Sequence, residues 1–132
     1  AALEGDKGKT RELLDAGEDP SEKDERGCTP LHFAGLYNRE GVAKILLAAG
    51  ADAAASSVRG QTPLHYAAQS STVGSGVAEM LLDAGADVDP QDWLGRTPVY
   101  WAAREGNHCV SMKLLEAGAD GERRDTHGET PL

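Results

Sequence analysis

Aromatic residues are scarce in this chain: two tryptophans, three tyrosines and one phenylalanine among 132 residues. A core built on stacked rings is excluded, so each ring must be read by its position. Cysteine is scarcer, with only Cys28 and Cys109. Two thiols do not staple a small secreted domain, and a reducing compartment, cytoplasmic or nuclear, is the expectation. Basic side chains are outnumbered, 13 against 22 acidic ones, for a net charge of −9. Phosphate backbones and anionic lipid headgroups need a basic face, so neither nucleic acid nor a membrane is an expected partner. No apolar run approaches the roughly 20 residues that span a bilayer. The opening "AALEGDKGKT" also has no charged-then-apolar leader.

Catalytic constellations are lacking too. There is no His-Glu-x-x-His, and "TVGSG" is not followed by the Gly-Lys-Ser/Thr of a phosphate loop. Cys28 and Cys109 are too far apart along the chain to be read as a metal pair. The expectation is a non-enzyme with no cofactor and no metal.

What the sequence does contain is a repeat. "TPLH" begins at Thr29 and at Thr62, "TPVY" at Thr97 and "TPL" at Thr130, at spacings of 33, 35 and 33 residues. A second marker runs in phase: "LLDAGED" from Leu13, "LLAAGAD" from Leu46, "LLDAGAD" from Leu81 and "LLEAGAD" from Leu114. Two motifs sharing one period define the organisation of the chain. Thr29, Thr62 and Thr97 read as helix N-caps, with Pro30, Pro63 and Pro98 at the first helical position, where a missing N–H costs nothing. The short helices that follow carry "FAG", "YAA" and "WAA", small enough for neighbouring helices to approach closely. A second helix ends at Gly17, Gly50, Gly85 or Gly118, where a left-handed cap favours glycine. The turns "DERG", "SVRG", "DWLG" and "DTHG" then lead into the next unit. No unit can bury its apolar face alone, so stacking supplies the core.

These motifs, "GCTPLHFAG…AKILLAAGAD", "GQTPLHYAAQ…AEMLLDAGAD" and "GRTPVYWAAREGN…MKLLEAGAD", closely resemble the ankyrin repeat family. The resemblance covers essentially the whole chain. It implies an all-α solenoid of helix-turn-helix units with projecting turns like β-hairpin tips. The units run approximately over 1–23 (a partial N-terminal cap), 24–56, 57–91, 92–124 and 125–132 (partial), with a two-residue insertion within 69–76. "ETPL" opens a repeat without its helices, and a longer parent chain is expected. His32 and His65 are expected to bond their own threonine and the adjacent turn. Tyr100 stands where that histidine would be, and its phenol is expected to supply some of the same bonds. With Lys113 in place of Ile45 and Met80, the fourth unit is expected to be less regular.

The resemblance also implies where a partner lies: across the turn tips and the exposed face of the first helices. The tips are Glu25, Arg26 and Cys28; Val58, Arg59 and Gln61; Trp93, Leu94 and Arg96; and Thr126, His127 and Glu129. The first-helix positions are Leu3 and Glu4; Leu36 and Tyr37; Gln69 and Ser70; and Arg104 and Glu105. Of these, Leu36, Tyr37, Val58, Arg59, Gln69, Trp93, Leu94, Arg96, Arg104 and Glu105 are the candidate protein-binding residues. Exposed apolar and aromatic groups beside arginine are the usual anchors of an interface. Arg59, Arg96 and Arg104 are expected to form a basic strip suited to a protein or peptide with apolar anchors and acidic side chains. Trp101 aligns with Phe33 and Tyr66, a recurrence that assigns it to packing between first helices. The expected function is a non-catalytic interaction module. The alternatives are a regulatory or substrate-docking segment of a larger enzyme or channel, and a structural spacer.

Overall fold

The computed structural model describes residues 15–17, 20–70, 75–121 and 126–128. Leu3, Glu4, Glu129, the centre of the 69–76 insertion and the terminal "TPL" lie outside the described residues. Six helices are formed among the described residues, in three antiparallel pairs: α1 (Pro30–Leu36) with α2 (Glu40–Ala48), α3 (Pro63–Ala68) with α4 (Gly76–Asp83), and α5 (Pro98–Arg104) with α6 (His108–Glu116). No helix among the described residues is long and apolar enough to cross a membrane.

The helix boundaries fall where the sequence predicts, but the capping bond is uneven: the Thr62 side chain accepts from the His65 N–H at 3.4 Å, whereas the Thr97 side chain makes no cap bond. Thr29, Thr62 and Thr97 sit in extended backbone at the N-caps of α1, α3 and α5, each followed by proline in the first turn. Gly50, Gly85 and Gly118 close α2, α4 and α6 with φ between 89° and 100°, a conformation that a side chain disfavours, and Gly17 shares it at 91°. Leu31, Leu64 and Val99 from the first helices meet Leu46, Leu81 and Leu114 from the second, all fully buried in one core that runs through the units. Consecutive first helices pack most closely. At Gly35 a Cβ would lie 2.8 Å from the Pro63 carbonyl oxygen, so the α1–α3 crossing leaves no room for alanine.

Two hydrogen-bond ladders join the units. The first runs through the buried histidines. The Thr29 N–H donates to His32 Nδ1 at 3.0 Å, and His32 Nε2–H therefore donates across the repeat boundary to the Gln61 carbonyl at 2.8 Å. His65 repeats this with Thr62 at 3.0 Å and with the Arg96 carbonyl at 2.9 Å. Each imidazole thus bonds its own threonine and the next turn, as expected from the motif. Burial lowers both histidine pKa values, against the raising effect of the accepting carbonyls.

In the fourth unit the expectation for Tyr100 holds only in part. The Tyr100 ring is buried, and its hydroxyl accepts a bond from Arg104 Nη1 at 3.3 Å. Thr97 Oγ1, however, is buried without a hydrogen-bond partner among the described residues, whereas Thr29 Oγ1 and Thr62 Oγ1 lie 2.9 and 3.1 Å from their histidines. The phenol replaces the imidazole's volume but not its bond to the cap. Thr62→Val is therefore expected to cost about 1–3 kcal/mol, and Thr97→Val to change stability by less than about 0.5 kcal/mol or to raise it. Urea denaturation of the two variants checks the contrast. Nor is the fourth unit less regular: α6 is a continuous helix, and Lys113 turns outward to pair with Glu79 at 3.0 Å. A half-buried side chain that keeps its ammonium in water lets lysine occupy a position that isoleucine and methionine fill elsewhere.

The second ladder joins the tips. Val58 N–H donates to the Arg26 carbonyl at 2.9 Å, Trp93 N–H to the Arg59 carbonyl at 3.0 Å, and Thr126 N–H to the Leu94 carbonyl at 2.7 Å. Each turn is therefore set against the next by a main-chain bond, which fixes the relative placement of the side chains described below.

Candidate functional site

The tips are shaped by the residue that opens each turn. Asp24 Oδ1 accepts from the N–H groups of Arg26 at 2.8 Å and Cys28 at 2.9 Å. Asp92 Oδ1 accepts likewise from Leu94 at 3.0 Å and Arg96 at 2.9 Å. Ser57 Oγ plays the same part with longer bonds, 3.3 Å each, to Arg59 and Gln61. Asp92 reaches further. Its Oδ2 accepts from Trp101 Nε1–H at 3.0 Å and from Gln61 Nε2 at 3.2 Å. Gln61 Oε1 in turn accepts from Gln69 Nε2 at 3.2 Å. This chain connects two turns and two first helices.

Between the tips and the first helices lies a cleft of 440 Å³. Tyr66 and Trp101 form its aromatic surface, Gln61 and Gln69 its amide surface, and Leu36, Val58, Arg26 and Arg59 also line it. Tyr66 is held by an edge-on contact with Phe33, ring centroids 6.2 Å apart, and by a 3.0 Å contact between its hydroxyl and Cys28 Sγ. Burial, with the Cys28 contact as the second cause, pushes the Tyr66 phenol up to about 12, so the ring stays neutral. Gln69 Nε2 also donates to the His65 carbonyl at 3.2 Å, which leaves the amide oxygen available as an acceptor.

Four of the candidate residues, Leu36, Val58, Arg59 and Gln69, come together in this cleft. Tyr37, Trp93, Leu94, Arg104 and Glu105 are exposed but do not line it. Trp93 is 70% exposed, on the tip next to Val58, which is 55% exposed. Arg96 departs from the expectation. Its guanidinium stacks over the rings of Tyr100 at 4.8 Å and Trp101 at 5.3 Å, and the residue is half-buried. The basic strip is therefore interrupted, and the cleft has Arg26 and Arg59 in its place. Two further positions read as exposed are buried: Cys28, which faces Tyr66, and Ser70, whose carbonyl accepts from Asn107 Nδ2 at 3.4 Å.

Tyr66 and Trp101 are the residues that sequence reasoning assigned to packing alone. Trp101 does pack against the core, yet it is only half-buried and its other side lines the cleft. The periodic aromatic was the available signal, because a large ring on a short helix of small residues outgrows the interface it packs in.

A family model for ankyrin repeats, in three copies, matches residues 1–92, and a single ankyrin repeat matches residues 94–126. Comparison with curated proteins found no match to the chain. The paired helices, the glycine-closed turns and the two ladders give that match its physical content, and the chain belongs to the ankyrin-repeat family.

Proposed function

We propose that this chain is a non-catalytic module that holds a protein or peptide segment across its cleft and tips. Ankyrin repeats are generally protein-interaction modules and typically non-catalytic. One observation carries the reading for this chain. Of the six large apolar residues exposed among the described residues, three (Val58, Trp93 and Leu94) lie on two neighbouring tips, and a fourth, Tyr37, is the C-cap of α1 beside Leu36 of the cleft. Water-exposed apolar groups on neighbouring tips favour desolvation by a partner, whereas a spacer gains nothing from them. The proposed contact set is Leu36, Tyr37, Val58, Arg59, Gln69, Trp93 and Leu94, with Arg104 and Glu105 at the rim; a cytoplasmic or nuclear partner suits the free thiols.

Trp93→Ala is the test. Its ring has little burial to lose, so the melting temperature is expected to stay within about 2 °C. Partner affinity is expected to fall by about 30-fold, as at an interfacial tryptophan anchor. Affinity capture with the chain and with the Trp93→Ala, Tyr37→Ala double variant supplies the partner, and isothermal titration the affinity. A variant that melts early while keeping its partner would assign Trp93 to the fold instead.

A further inference from the structure

The cleft has a polarity along its length. The second tip position is Arg26 in one unit, Arg59 in the next and Leu94 in the third, and the main-chain carbonyls of these residues accept the bonds that join successive tips. Equivalent side chains are thus repeated one unit apart along one edge. Arg26 and Arg59 both line the cleft, on a chain whose net charge is −9. Neither guanidinium has an ion-pair partner among the described residues. The nearby carboxylates of the turns are engaged elsewhere: Asp24 with N–H groups of its own turn, and Asp92 with its own turn, Gln61 and the Trp101 indole. Two cations are therefore presented side by side with no acid among the described residues bound to them, above an aromatic surface.

Spacing selects what fits. Packed helices lie about 8–10 Å apart, and the tips that lead into consecutive first helices repeat at the pitch of that stack. A segment in polyproline-II conformation advances about 3.1 Å per residue and returns to the same face every third residue, about 9 Å on. A β-extended segment returns every second residue, about 7 Å on, and falls out of step with the arginines. We infer that the occupant of the cleft is an acidic peptide segment in polyproline-II conformation, with carboxylates at positions i and i+3 facing Arg26 and Arg59. An apolar side chain one further step along lies against Leu94. The Gln69 amide oxygen, which has no donor among the described residues, accepts a main-chain N–H of the segment. This rests on the interaction reading above and adds the partner's chemistry and register.

The experiment is selection of a random twelve-residue peptide library on the 132-residue chain, followed by fluorescence anisotropy with the enriched peptides. Enrichment of acid-x-x-acid is expected. Arg26→Glu and Arg59→Glu are each expected to weaken such a peptide by about three- to tenfold at unchanged melting temperature. Replacing the two peptide acids with lysine is expected to restore binding to the double variant. Enriched peptides without acids three apart, including a helical spacing of seven, overturn this register while leaving the interaction reading intact if they still depend on Trp93. No enrichment over an unrelated control protein overturns both.

Discussion

Asp92→Ala is expected to lower stability by about 3–5 kcal/mol, far more than the equivalent change at Asp24, two turns earlier in the stack. Asp92 is a buried carboxylate with four N–H donors: two from its own turn, one from Gln61 of the preceding turn and one from the Trp101 ring. Alanine removes the acceptor of all four donors at once and leaves the indole N–H and the Gln61 amide, both of half-buried residues, without their protein partner. Asp24 is exposed and accepts two bonds, both within its own turn. Its replacement by alanine is expected to cost about 1 kcal/mol, because water can solvate the freed groups. Because repeats exchange stability only with their neighbours, the Asp92 lesion is expected to loosen the fourth unit before the second. Urea denaturation of the two variants measures the difference, and the indole N–H resonance of Trp101 reports the broken bond. Equal costs at Asp24 and Asp92 would show that the network between turns contributes nothing.

Lowering the pH from 6.5 towards 5 is expected to destabilise the fold steeply. His32 and His65 are fully buried and have lowered pKa values, burial being the main cause. In the unfolded chain both imidazoles protonate near 6.5. Below that pH the unfolded state therefore binds more protons than the folded state. Stability is fully present above the unfolded value and is lost as the pH falls from 6.5 towards the lowered folded values. The limiting slope is about 1.4 kcal/mol per pH unit for each histidine, or about 2.7 for the pair. The structural reason is the tautomer. Nδ1 must be bare to accept the threonine N–H, so a proton placed there breaks the cap from which each first helix starts. Denaturation midpoints at a series of pH values, with His65→Gln as the variant in which the slope is halved, check this. A flat profile between pH 7 and 5 would contradict the buried, neutral assignment.

The repeat, the helix pairs, their proline starts and their glycine ends were all legible in the chain, because each depends on a local conformational preference repeated at one period. The histidine ladder was legible for the same reason: an imidazole recurring three residues after a capping threonine has only a few places to reach. The cleft was legible in part. Leu36, Val58, Arg59 and Gln69 are placed there by register alone, whereas Arg96, Tyr66 and Trp101 are not. Arg96 and Arg59 occupy neighbouring turns, and no linear pattern says that one guanidinium stacks on two rings while the other stays in the cleft. Arg96 aligns with Gln61 rather than with Arg59, and from that position its guanidinium meets the paired rings of Tyr100 and Trp101.

The two tryptophans mark the boundary between these kinds of knowledge. By itself the sequence determined that Trp93 stands on a turn and Trp101 on a first helix, since period and capping residues assign every position to an element. Only the tertiary structure decided that Trp101 both packs on the core and lines the cleft, tethered by its indole N–H to Asp92. The physical reason is that burial and side-chain pairing depend on how one unit leans on the next. Periodicity records that the units are alike, and the contacts between them follow from where they differ.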